Sequence, residues 1–184
     1  NQEGAIYINR IVPSVTINFE NNSELSIFAG AYGIQTYSDM YLTGKGTLQA
    51  NAGGKYWGAD SPGITVTSGK RIEVLDQVSL IVGTVGAKKG EKIELDEGAS
   101  LKIASTGNSS LNNGISVDSG TIKIEQGAKL TIKEKLEFNG QCTLINSGNL
   151  QLDGSFKNLN GGASGITIQN KGTLSGTMDL GACK

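Results

Sequence analysis

Apolar and polar residues alternate with period two in short bursts along this chain. The burst at Ile93-Glu94-Leu95-Asp96-Glu97-Gly98-Ala99-Ser100-Leu101-Lys102-Ile103 shows the pattern best. Two alternating pairs flank a glycine-containing corner, so the apolar residues fall at p, p+2, p+8 and p+10. Side chains of a strand point alternately to its two faces, so each pair reads as a short strand with one buried face. The same template fits Ile17, Phe19, Leu25, Ile27; Met40, Leu42, Leu48, Ala50; Ile72, Val74, Leu80, Val82; Ile122, Ile124, Leu130, Ile132; Cys142, Leu144, Leu150, Leu152; and Ile166, Ile168, Leu174, Gly176. The p+2 position is thus filled in turn by Phe19, Leu42, Val74, Leu95, Ile124, Leu144 and Ile168. A supersecondary unit that recurs at such an interval, inside the repeat range of roughly 20 to 50 residues, marks a solenoid. No stretch of helical length carries a helical period, so the class is all-β.

A third strand per repeat begins at Gly33-Ile34, Gly63-Ile64 and Gly114-Ile115, ahead of the next p position. Three short strands per coil, stacked about 4.8 Å apart, make a parallel β-helix. The expected fold is therefore a single-stranded right-handed parallel β-helix of about seven coils, because left-handed hexapeptide helices keep a stricter coil length. Residues 1–184 form one domain, with 1–13 and 177–184 as terminal caps. Ala5-Ile6-Tyr7-Ile8 reads as a strand that begins or caps the first coil. The two longest coils owe their length to residues 51–62 and 104–113, both placed after p+10 and so at the same corner, two coils apart. Loops gathered on one edge of a rigid scaffold are where such proteins place function, although corner insertions are also structurally cheap.

Charge narrows the partners. The formal net charge is −1, from 16 basic and 17 acidic residues interspersed along the chain. That distribution lacks the basic stripe a phosphate backbone requires, so nucleic acid is not an expected partner. No run approaches the roughly 18 apolar residues of a membrane-spanning helix. The chain has 27 glycines and two prolines, a balance suited to many strands and tight corners. Its first residue is Asn1, which reads as a mature or trimmed chain, and the Asn-, Ser-, Thr- and Gly-rich surface suits a secreted or cell-surface bacterial protein.

Candidate chemistry is sparse. Histidine is absent, which removes Ser-His and Cys-His nucleophiles and imidazole ligands. Cys142 and Cys183 are too few for a disulfide framework or a zinc site. Cys142 at an inward position reads as a small buried hydrophobe, and a bond to Cys183 requires the tail to fold back over the coil end. In the template register Glu73 and Glu94 stack one coil apart, near the separation of a retaining glycosidase pair, but Lys92 and Lys123 lie beside them and Arg71 stacks on Asp39, a charge-compensated patch that suits a solvated face. Acids at the p+3 corners, Glu20, Asp96 and Glu125, together with Asp76, are too dispersed to supply the six to eight oxygens of a calcium site. No metal or cofactor is expected.

Aromatic residues are concentrated between Tyr32 and Trp57, where Tyr37, Tyr41 and Tyr56 also lie. Tyr41 faces outward between Met40 and Leu42, and Tyr56-Trp57-Gly58-Ala59-Asp60 forms the middle of the longest insertion. Exposed aromatics beside polar groups suit a sugar ring. A glycan site on this edge would use Tyr41, Tyr56, Trp57 and Asp60, with Asp39 and Lys55 as polar neighbours. The competing reading has Trp57 folding down to anchor its own loop.

The run from Gly33 to Ala50, Gly-Ile-Gln-Thr-Tyr-Ser-Asp-Met-Tyr-Leu-Thr-Gly-Lys-Gly-Thr-Leu-Gln-Ala, resembles the repeat units of secreted bacterial β-helix domains of the pectate-lyase-like superfamily. It is nearest to their carbohydrate-binding members, and weaker likeness continues at 63–82, 114–132 and 165–176. The resemblance implies a parallel β-helix that binds plant cell-wall polysaccharides such as cellulose or pectin. The superfamily's acid-rich calcium sites, paired catalytic aspartates and lyase-type acid cluster with an arginine base have no clear counterpart. The only arginines are Arg10 and Arg71. The expected function is a non-catalytic polysaccharide-binding module. The alternatives are a structural adhesin or stalk coil, and a polysaccharide lyase or glycoside hydrolase, which the missing histidine and acid clusters disfavour. An uncapped coil also exposes strand edges, so end-to-end or edge self-association is a further expectation.

Overall fold

Inward Ile, Leu and Val residues stack in register along three faces of a parallel β-helix. The structure is a computed structural model that describes residues 4–52, 55–56, 59–85, 90–160 and 165–180. The first face stacks Ile6, Ile34, Ile64, Ile93, Ile115, Leu136 and Phe156. On the second face Val15, Met40, Ile72, Leu101, Ile122, Leu144 and Ile168 lie in line. Leu25, Leu48 and Leu80 lead the third, and Leu130, Leu150 and Leu174 continue it. Seven rungs on each face amount to six turns, and every pairing along the coil is parallel. No helix occurs among the described residues. The interior is one continuous apolar core running the length of the coil.

The three strands per coil follow the sequence expectation, and the Gly-Ile segments do supply the first face. The register differs in several coils. In the first, the second face turns Val15 and Ile17 inward, half-buried against the core, while Phe19 packs at the corner that Asn21 and Asn22 turn with positive φ. In the fourth, Ile93 and Leu95 belong to the first face, Leu101 and Ile103 to the second, and Ser109 and Leu111 to the third. The corner between first and second faces there has the same length as the usual corner between second and third. A two-residue alternation cannot tell those corners apart. In the sixth and seventh coils the inward pairs are Leu144 with Asn146 and Ile168 with Asn170, because asparagines occupy positions where the template required apolar residues. Asn146 is buried, and its Nδ2 donates to Asn170 Oδ1 at 2.7 Å and to the Thr173 carbonyl at 2.9 Å. Buried amides are tolerated where such partners exist.

Two further expectations change with the register. Residues 104–113 are not an insertion, since they contain the third-face strand Asn108–Leu111. The second long connection instead follows Val82 and ends before Ile93. It leaves the same third-to-first corner as residues 51–62, on the adjacent coil. The shortest coil runs from Leu136 to Phe156, and the longest from Met40 to Ile72. Gly4–Ile8 is the first rung of the first face.

Candidate functional site

Tyr37 leaves the first face just after Thr36, at the corner before the second face. Its ring lies 5.4 Å from that of Tyr7, tilted by 49°, and its hydroxyl accepts a hydrogen bond from Gln35 Nε2 at 3.2 Å. Alternation along the strands places Tyr7 and Gln35 on the outer surface, since Ile6, Ile8, Ile34 and Thr36 turn inward. A groove of about 440 Å³ opens here, lined by Arg10, Gln35, Tyr37, Lys70 and Asp96 with Thr67 and Ser68. It joins an aromatic wall to amide, hydroxyl, cationic and carboxyl groups. Sequence reasoning noted Tyr37 within the aromatic cluster but did not unite it with Tyr7, Arg10 or Asp96. Those residues are far apart along the chain and meet only because their coils stack.

Burial raises the Asp96 carboxyl above its ordinary value, and the charges of Glu94 and Asp118 push it in the same direction. The ionised form therefore opposes folding. This contribution to stability is complete below the ordinary aspartate value and is lost as pH rises through the raised one. Asp96→Asn should raise the melting temperature at neutral pH, with the gain vanishing below about pH 4. Parallel melts of parent and variant across pH check this. Glu137 behaves oppositely. Burial would raise it, but the Lys135 hydrogen bond and the charges of Lys92, Lys135 and Lys157 outweigh burial and hold it below the ordinary value.

Asp39 and Tyr41 sit round the corner on the second face. Asp39 pairs with Arg71 at 3.0 Å, as the sequence suggested, and Tyr41 faces outward between buried Met40 and Leu42, with Thr16 and Glu73 as register neighbours. Lys55 and Asp60 are paired positions of a short antiparallel hairpin at the third-to-first corner, as are Tyr56 and Ala59. The second face does not share that corner. Trp57 and Cys183 lie outside the described residues, as do the side chains of Lys55 and Tyr56. The hairpin and the Tyr37 groove thus bracket the first face of the second and third coils. Glu73 and Glu94 do not stack: Glu73 is on the second face beside Lys102, at 3.1 Å, and Glu94 is on the first beside Lys92, at 3.3 Å.

Cys142 is a buried free thiol. Its Sγ donates to the Asn139 carbonyl at 3.0 Å, and burial pushes its pKa up, which keeps it unreactive. Among the described residues no three His, Cys, Asp or Glu side chains cluster as metal ligands, and no helix is long and apolar enough to cross a membrane. The fold and the groove define a parallel β-helix protein with a polar, aromatic-walled cleft. No family model matches the chain, and neither the curated proteins nor the solved structures contain a match.

Proposed function

We propose that this domain is a non-catalytic, secreted or cell-surface module of the pectate-lyase-like β-helix type that binds polysaccharide across its first face. The observation that carries the reading is the groove where Tyr37 stands beside Tyr7, with Gln35, Arg10, Lys70 and Asp96 around it. An aromatic face takes the apolar side of a pyranose ring, while amide and charged groups take its hydroxyls. The hairpin strands Lys55–Tyr56 and Ala59–Asp60 stand at the other corner of that face, and Tyr41 and Asp39 extend the surface round the second-face corner. A glycan array with a reducing-sugar assay tests the reading. Binding without product supports it, neither points to a structural stalk, and product release points to an enzyme. Tyr37→Ala should reduce polysaccharide pull-down at least tenfold, in line with the roughly 1.4 kcal/mol that one stacked ring supplies. Trp57→Ala should also abolish binding and leave the melting temperature nearly unchanged. A large fall in melting temperature with binding intact would make Trp57 a loop anchor instead.

A further inference from the structure

A buried carboxylate that pairs with no described cation marks the third-to-first corner. Glu91 is 5% exposed and adopts a φ of +56°. Its Oε2 accepts one hydrogen bond, from the Thr84 N–H at 2.6 Å, and among the described residues, which do not include Lys88 and Lys89, it enters no ion pair. The contrast is Glu137, also buried, which holds two lysines, Lys92 and Lys135. At the same corner the Ser61 hydroxyl and the Asn51 Oδ1 have no hydrogen-bond partner among the described residues, although these residues are 1% and 8% exposed.

Backbone pairing gathers these groups from two coils. The Glu91 N–H donates to the Ser61 carbonyl at 2.8 Å, and the Gly83 N–H, just before Thr84, donates to the Ala50 carbonyl, just before Asn51, at 3.1 Å. A Cβ on Gly63 would lie 3.0 Å from both the Ala50 and Glu91 carbonyl oxygens, and one on Gly83 would lie 3.0 Å from the Glu91 oxygen. Backbone oxygens of neighbouring coils therefore lie close together here, packed with the Val82 methyl beside Gly63 and the Asn113 amide oxygen beside Gly83. Asp60 adds a second carboxylate nearby, since its Cβ is 3.3 Å from where Gly90 would carry one.

Burying a carboxyl group and unpartnered acceptors is costly unless something satisfies them. A hard cation does so with the donor types found here: carboxylate, amide oxygen, hydroxyl and backbone carbonyl. We propose that Asn51, Ser61 and Glu91 form a calcium-type cation site that ties together the long connections of the second and third coils. One buried carboxylate among neutral oxygens sets a weak affinity, on the order of 10⁻⁴–10⁻³ M, in the range of extracellular modules. An irregular oxygen cage suits calcium better than magnesium, which demands near-octahedral geometry. The site is independent of the glycan reading.

The test is thermal unfolding and calorimetric titration of the whole chain, first stripped with a chelator and then supplied with about 10 mM calcium, or with magnesium at matched ionic strength. Calcium should raise the melting temperature by roughly 3 °C or more, and magnesium by less. Glu91→Gln, which keeps an acceptor for Thr84, should abolish the response. Asn51→Asp, which adds a ligand charge, should tighten calcium binding by roughly tenfold. A parent that ignores calcium, a Glu91→Gln variant that still responds, or an Asn51→Asp variant with unchanged affinity overturns the site and leaves these oxygens to buried water.

Discussion

Leu101→Asp is expected to lower the melting temperature by more than about 10 °C, because an uncompensated buried charge costs roughly 3–5 kcal/mol and each kcal/mol is worth about 2–4 °C in a chain of this size. Leu101 is fully buried in the fourth coil and stacks between Ile72 and Ile122. An aspartate there meets only apolar neighbours in its ladder. A solenoid is held together by nearest-neighbour coil contacts, so damage in the middle weakens both halves. The neighbouring Lys102 points outward and pairs with Glu73 at 3.1 Å. Lys102→Gln removes only a surface pair and should cost no more than about 1 kcal/mol. Circular-dichroism melts of both variants decide the matter. If Leu101→Asp melts like the parent while Lys102→Gln collapses, the register is inverted.

Gly114→Ala should be the more damaging of two glycine substitutions chosen for contrast. Gly114 has a φ of +90°, and an added Cβ would lie 2.1 Å from the Lys135 carbonyl oxygen of the next coil. That neighbour is backbone, so relief requires the coils to part at the corner entering the first face. Gly127 also has a positive φ, +84°, but an added Cβ meets nothing within 4 Å. Gly127→Ala therefore reports conformational strain alone, about 1–2 kcal/mol. Gly114→Ala adds the clash and should lose roughly 2 kcal/mol beyond that. Urea midpoints at constant slope measure the difference. Equal losses would show that the coils part without cost.

Much of the fold is legible because its rule is local. Met40, Leu42, Leu48 and Ala50 alternate with polar residues, and each alternation states which side of one strand is buried. Repetition of that statement along the chain states that the strands stack. Asn146 escapes the pattern because its burial depends on Asn170 and Thr173 in the next coil. The alternation of the fourth coil points to the wrong pair of faces because its first corner matches, residue for residue, the length of an ordinary second corner. Only stacking against Ile64 identifies Ile93 as a first-face residue.

The candidate sites depend still more on the third dimension. Tyr41 and Asp39 follow from outward alternation, and the Asp39–Arg71 pair from stacking order. The Tyr7–Tyr37 wall, the place of Asp96 beside it and the unpaired oxygens around Glu91 draw on different coils, distant from one another along the chain. The amino-acid sequence by itself determined strand alternation, the coil repeat and the all-β class, since each follows from steric and hydrophobic preferences of neighbouring residues. Which residues of distant coils gather in the groove and around Glu91 was decided only by the tertiary structure. A shift of one corner moves a whole strand to another face without changing which of its residues are apolar.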